Sequence, residues 1–64
     1  MSYVLKEQSD DGAVWTSPPF EGEDRHARQN VICGYLIGTT RWAERDGKVV
    51  YKLDAKGKEV RDGA

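Results

Sequence analysis

The pair Asp46-Gly47 limits the fold of this chain more than any other feature of its sequence. It lies between two runs in which apolar and polar residues alternate, residues 40–45 and 48–53. An Asp-Gly pair favours the positive backbone angles of a two-residue type I′ turn, whose twist matches that of two paired strands. The sequence therefore predicts a β-hairpin whose turn consists of these two residues.

The register of this hairpin follows from counting outward from the turn, and it divides the side chains between two faces. One face is predicted to join the core because it carries most of the large apolar side chains. Its members are Thr40, Trp42, Glu44, Val49, Tyr51 and Leu53, with Trp42 directly opposite Tyr51. On this interpretation, Trp42→Ala would remove a buried ring and destabilise the fold severely.

The other face of the hairpin is predicted to be the functional one, and we call it the cationic face. Its members are Arg41, Ala43, Arg45, Lys48, Val50 and Lys52. Two of its directly opposed pairs, Arg41–Lys52 and Arg45–Lys48, carry like charges, which destabilises a sheet. An anion is therefore expected over this face. The internal candidates are Glu21, Glu23 and Asp24, with Asp10 and Asp11 as further ones. The sequence predicts instead an external partner, bound by the six residues of the cationic face.

The N-terminal part of the chain is predicted to form a first hairpin. Residues 2–8 and 13–17 are suited to strands, and the Ser-Asp-Asp-Gly sequence of residues 9–12 is suited to the turn between them. Pro18-Pro19 ends the second strand, since proline cannot donate a hydrogen bond to a sheet. Phe20 follows, and we expect its ring to plug the core.

The C-terminal part of the chain is predicted to contain one more turn and one short strand. Residues 54–57 read as a turn in which Gly57 takes the positive-φ position. A short strand is expected over residues 58–60. Residues 61–64 are interpreted as a tail.

The segment between the two hairpins allows two interpretations. Residues 31–38 are apolar on every side, which favours a short buried strand, with a helical turn over 23–29 as its neighbour. Alternatively, residues 23–37 space their apolar side chains as an amphipathic helix does. That helix would hold Gly34 in its interior at a cost of about 1 kcal/mol relative to alanine. The sequence thus favours the strand.

Together these elements predict one domain over residues 1–64 that is mainly β. The expected architecture is a small antiparallel sheet or SH3-like barrel of about five strands. The alternative is an α+β fold of ββαββ order, with the helix over 23–37. A chain of 64 residues buries only about 60% of its unfolded surface, so its core is expected to be small.

The cysteine and histidine content excludes several stabilising and catalytic devices. One cysteine cannot form an internal disulfide, and one cysteine with one histidine cannot form an ordinary zinc site. Cys33 lies in an apolar run and is expected in the core, whereas His26 lies among charged residues and is expected at the surface. Without a signal-peptide pattern or an apolar run of membrane-spanning length, the sequence predicts a soluble cytoplasmic protein.

No catalytic, nucleotide or cofactor motif is present, so the sequence predicts a protein without enzymatic activity or cofactor. Net charge is −5 over residues 1–24 and +4 over residues 25–64. This segregation favours a small protein-interaction module, a regulator or inhibitor, whose cationic face binds an acidic protein surface. The alternatives are a nucleic-acid-binding β-barrel and a self-associating structural domain that forms homodimers through its strand edges.

Overall fold

The structure is a computed structural model that describes residues 1–60. These residues form five strands and one helix, namely β1 (Ser2–Gln8), β2 (Val14–Thr16), β3 (Phe20–Glu21), α1 (Asp24–Cys33), β4 (Thr40–Arg45) and β5 (Lys48–Leu53). All strand pairs are antiparallel, in the order β2-β1-β4-β5, with β3 also paired to β1. The predicted class, mainly β with about five antiparallel strands, is confirmed. Within residues 1–60 the sheet does not close into a barrel. The predicted tail over 61–64 lies outside the described residues.

Strand β1 is central because it is paired along both edges. Strand β4 lies along one edge, while β2 and β3 follow each other along the other edge. Between them Pro18-Pro19 interrupts the strand, as predicted, and Ser17 replaces the missing pairing. Its backbone N–H donates to Leu5 O at 2.9 Å, and its Oγ accepts the Leu5 N–H at 2.9 Å. These two bonds explain why a serine is buried here.

The predicted strand over residues 31–38 is wrong, because helix α1 continues to Cys33 and residues 34–38 form turns rather than a strand. The sequence argument against a helix was the cost of an interior glycine, but α1 ends at Cys33 and Gly34 is its C-terminal cap. That cost therefore does not arise. Ala27 and Val31, one turn apart, face the sheet and are buried completely or nearly so. At the other end His26, exposed as predicted, accepts the Glu23 N–H through Nδ1 at 2.8 Å.

The core lies between α1 and one face of the sheet. Its buried apolar members are Tyr3, Leu5, Ala27, Val31, Ala43 and Leu53, and Tyr35, Val50 and Tyr51 pack against them. Phe20 does not plug this core: its ring stacks on that of Tyr3 with centroids 5.6 Å apart, at the margin of the sheet, and remains 40% exposed. The prediction that Cys33 is a core residue is also wrong, because its side chain is exposed.

The predicted turns are confirmed by their backbone angles. Asp46 and Gly47 have φ values of 54° and 77°, both positive as a type I′ turn requires, and Gly57 has a φ of 85°. The Asp54 carboxylate stabilises the second turn by accepting the N–H groups of Lys56 and Lys58 at 2.9 Å each. The strand expected after this turn is reduced to a single bridge between Leu53 and Glu59.

The register of the second hairpin is as predicted next to its turn and differs beyond it. Arg45 pairs with Lys48, and Glu44 with Val49, but Ala43 pairs with Tyr51. Val50 is therefore an extra residue, a β-bulge, in β5. A shift of one residue transfers every later side chain to the other face of the sheet.

The predicted core and partner faces are wrong for most of the hairpin, for two reasons. The bulge moves Tyr51 and Leu53 to the same face as Ala43, and α1 packs on that face. Trp42 is opposite Lys52 rather than Tyr51, and Arg41 is opposite Leu53 rather than Lys52. Arg41 and Ala43, expected on the exposed face, are buried beneath α1. Trp42 lies on the face of the sheet away from the helix, so the severe effect predicted for its truncation no longer applies.

Candidate interaction surface

The six residues of the predicted cationic face do not share a surface. Arg41 and Ala43 are buried, and Val50 packs against the core. Lys48 is exposed, and Arg45 forms an ion pair with Asp24 of α1. Lys52 lies on the opposite face, with its Nζ 5.2 Å from the centroid of the Trp42 ring.

Arg41 forms the most buried charged contact among the described residues. Its Nη1 donates to the Glu7 carboxylate, and its Nη2 donates to the Asn30 carbonyl near the end of α1 at 3.0 Å. Its Nε is buried without a hydrogen-bond partner in the described part of the chain. A Cβ on Gly34 would overlap the guanidinium, so any other residue at this position would have to displace it from its present place. Arg41 is therefore a structural residue.

Two of the four cations of the predicted face, Arg41 and Arg45, thus form ion pairs with acids of the same chain. Of the acids expected to do this, only Asp24 does. Glu23 pairs with Arg25 instead, and Glu21 lies 3.6 Å from the N-terminal amine. Glu7, which the sequence interpretation did not consider, neutralises Arg41 because it occupies the neighbouring position on β1.

The face of the sheet away from α1 carries a network of mutually satisfied polar groups. The Trp42 indole donates to the Glu44 carboxylate at 2.6 Å, and Lys6 lies 3.3 Å from the same carboxylate. The indole hydrogen bond, assisted by Lys6, holds the pKa of Glu44 below its ordinary value of about 4.5. The indole, the carboxylate and the amine thus have partners in one another, and none of the three needs a ligand as a partner.

Glu44 gives the protein an acid-sensitive component of stability. Because its pKa is lowered by folding, the stabilisation is present above the pKa of the unfolded chain and is lost as the pH falls through that of the folded chain. Glu44→Gln is expected to lower Tm by a few degrees at pH 7. Between pH 5 and pH 3 the Tm of this variant should fall less than that of the parent, because the variant has no carboxylate to protonate at position 44. Thermal unfolding over this pH range measures both effects, with Lys48→Gln as an exposed control; a fall in Tm as large as the parent's would contradict the prediction.

Three exposed aliphatic side chains adjoin the C-terminal end of α1. Ile32 is 46% exposed, Leu36 67% and Ile37 79%, and Cys33 is exposed as well. We call residues 32–37 the apolar segment. It belongs to the most apolar stretch of the sequence, which was predicted to be buried, yet only Val31 before it and part of Tyr35 within it reach the core.

The apolar segment is held in place by hydrogen bonds, so its exposure is a feature of the fold. Leu36 O accepts the Thr39 N–H at 3.1 Å, which closes a turn with Gly38 at a φ of 96°. The Gly38 N–H donates to Ala55 O at 2.9 Å, and the Tyr35 hydroxyl donates to Asp54 O at 2.5 Å. The segment is therefore anchored to the turn that follows β5.

A sequence signal for this surface exists. Residues 29–40 contain no charged side chain, although a third of the chain is charged. Such depletion is typical of the centre of protein–protein interfaces as well as of buried strands. Which of the two applies depends on whether the rest of the chain covers the segment, and this is a tertiary property.

Comparisons with known proteins provide no further guide to function. No protein-family model, no curated protein and no solved structure matches the chain. Within residues 1–60, no helix has the length and apolar character needed to cross a bilayer. The same residues bring together no group of three or more histidine, cysteine or acidic side chains that could hold a metal ion.

Proposed function

We propose that this chain is a small non-enzymatic protein-interaction module that binds its partner through the apolar segment. The observation that carries the proposal is the exposure of Leu36 and Ile37 on an anchored turn. The proposed setting is cytoplasmic, in keeping with the single unpaired cysteine. A regulator or inhibitor that acts by binding fits a chain of this size.

Energetics support this choice of surface over the cationic face. Burying a leucine or isoleucine side chain contributes roughly 1.5–3 kcal/mol relative to leaving it exposed. A small chain that leaves two such neighbours in water forgoes stabilisation that a bound partner would supply. The expectation of an acidic partner depended on the six residues of the cationic face sharing one surface. They do not share one, so their charge gives no reason to expect an acidic partner.

Leu36→Ser combined with Ile37→Ser is expected to leave Tm nearly unchanged, within about 0.5 kcal/mol per site in the free energy of unfolding, because both side chains are exposed. Partner binding should weaken at least about tenfold, as truncation of interface anchors commonly does. The measurements are thermal unfolding and nuclease-treated pull-downs from cell lysate with the parent and the double variant.

Val49→Ser is the matched control, because Val49 is an exposed aliphatic residue at the other end of the hairpin. It should retain the partner. Cys33, the only cysteine, supplies a second readout: its alkylation by a thiol reagent should slow when the partner is bound. Equal capture by the parent and the double variant would refute the proposal. Capture lost on nuclease treatment would favour the nucleic-acid alternative, and concentration-dependent dimerisation alone would favour self-association.

A further inference from the structure

Helix α1 covers only part of the sheet, and a cavity lies at the part it leaves open. The helix packs against β5, β4 and β1 but, within residues 1–60, does not contact β2. Beside β2 is an open cavity of about 230 Å³. Its lining residues are Glu7, Ser9, Ala13, Val14, Trp15 and Thr39.

Trp15 supplies an aromatic wall to this cavity. It is directly opposite Glu7, which in turn is opposite Arg41, so the three residues form one row across the sheet. The helix buries Arg41 but does not extend as far as Trp15, which remains 52% exposed. The face of an indole attracts cations more strongly than any other side-chain ring.

An aspartate is hydrogen-bonded to the lining of this cavity. The Asp11 carboxylate accepts hydrogen bonds from the Ser9 hydroxyl and, at 3.0 Å, from the Ala13 N–H, and both of these residues line the cavity. These bonds lower the pKa of Asp11. No cation of residues 1–60 forms an ion pair with Asp10 or Asp11, whereas Glu7 is already neutralised by Arg41.

We propose that this cavity accepts the cationic side chain of a lysine or arginine from the protein partner. The Trp15 indole in the lining, together with the Asp11 carboxylate that is hydrogen-bonded to two other lining residues, is suited to an ammonium or guanidinium group. The volume lies below the range of about 300–1,000 Å³ that is usual for small-molecule ligands, and suits a single side chain.

The cavity also adjoins the apolar segment, because Thr39 both lines it and closes the turn that begins at Leu36. A partner segment with aliphatic residues next to a lysine or arginine would fill both sites. The identity of the partner rests on the proposed function, but occupancy of the cavity by a cationic side chain can be tested without any partner.

The test uses ¹⁵N-labelled protein and two probes of similar shape, Nα-acetyl-lysine amide and Nα-acetyl-norleucine amide, followed by NMR. The indole N–H resonance of Trp15 should shift saturably with the lysine probe, while that of Trp42, on the opposite face, should not. Binding of the norleucine probe should be at least about tenfold weaker, since it lacks the charge that ion pairs and cation–π contacts require. Equal shifts with both probes, or no saturable shift of Trp15, would overturn the proposal.

Two variants separate the contributions of charge and ring. Asp11→Asn keeps the hydrogen-bond acceptor that shapes the turn and removes the charge, so affinity for the lysine probe should fall about two- to fivefold. Trp15→Leu should reduce it further, and Trp15→Phe should restore part of the loss. If neither variant changes the affinity, the cation binds elsewhere and the assignment is wrong. The Leu36→Ser, Ile37→Ser variant should bind the lysine probe normally, so failure of this test and failure of the proposed function are distinguishable.

Discussion

Ala43→Glu is expected to abolish folding. The Ala43 side chain is fully buried between β1 and β5, opposite Leu5 and Tyr51. The two cations nearest along the strand, Arg41 and Arg45, are already paired with Glu7 and Asp24. A carboxylate placed there would lose its hydration without gaining a partner, at a cost of several kcal/mol. That loss is comparable to the whole stability of a small domain. Far-UV circular dichroism and the dispersion of amide NMR resonances report the outcome.

Thr40→Glu is the matched control on the same strand. Thr40 faces away from α1 and is opposite Gln8 on β1, so the new charge can remain hydrated and meets no like charge on that strand. The expected change in the free energy of unfolding is within about 1 kcal/mol. If instead Ala43→Glu folded and Thr40→Glu did not, the faces of β4 would be the reverse of those described.

Glu7→Gln is expected to destabilise the protein by about 3 kcal/mol. The substitution keeps the size of the side chain but leaves the Arg41 guanidinium, only 10% exposed, without a counter-charge. Removing one partner of a buried ion pair typically costs 3–5 kcal/mol. We expect the lower end of this range of costs, because the Glu7 side chain is 29% exposed and water therefore reaches the ion pair from one side. Urea unfolding monitored by circular dichroism measures the loss.

A double-mutant cycle with Arg41→Met identifies the cause. Arg41→Met alone should cost less than Glu7→Gln, because the remaining carboxylate can be hydrated, and the Asn30 carbonyl keeps the Gly34 N–H as a donor. The double variant should be more stable than the sum of the single losses predicts, by about 1–3 kcal/mol. Arg25→Gln, which breaks the exposed pair with Glu23, serves as the control and should change stability by less than about 1 kcal/mol. A loss of that size for Glu7→Gln would show that Arg41 is not desolvated.

The turns of this protein could be read from its sequence because their causes are local. Asp46-Gly47 and Gly57 supply positive φ wherever the rest of the chain lies, and Pro18-Pro19 ends a strand for lack of N–H donors. With strands of suitable length between these points, the antiparallel, mainly β class followed. The hairpin register was correct for the two residue pairs next to the turn, where turn geometry controls it.

Which side chains of the strands and the helix are buried and which are exposed depended on contacts between distant parts of the chain. Val50 bulges out of register, and this places Leu53 opposite Arg41. Ala43 is buried because α1, which precedes it in the chain, packs on its face of the sheet. Gly34, whose cost in a helix interior counted against this helix, is in fact its C-terminal cap. The Arg41 guanidinium of β4 lies where a side chain at position 34 would be. Of its own side chains the helix buries only Ala27 and Val31, and Leu36 and Ile37 beyond its end remain in solvent. The apolar character of residues 31–37 indicated that burial would stabilise them. Whether the chain itself buries them depends on packing geometry, which no local pattern encodes.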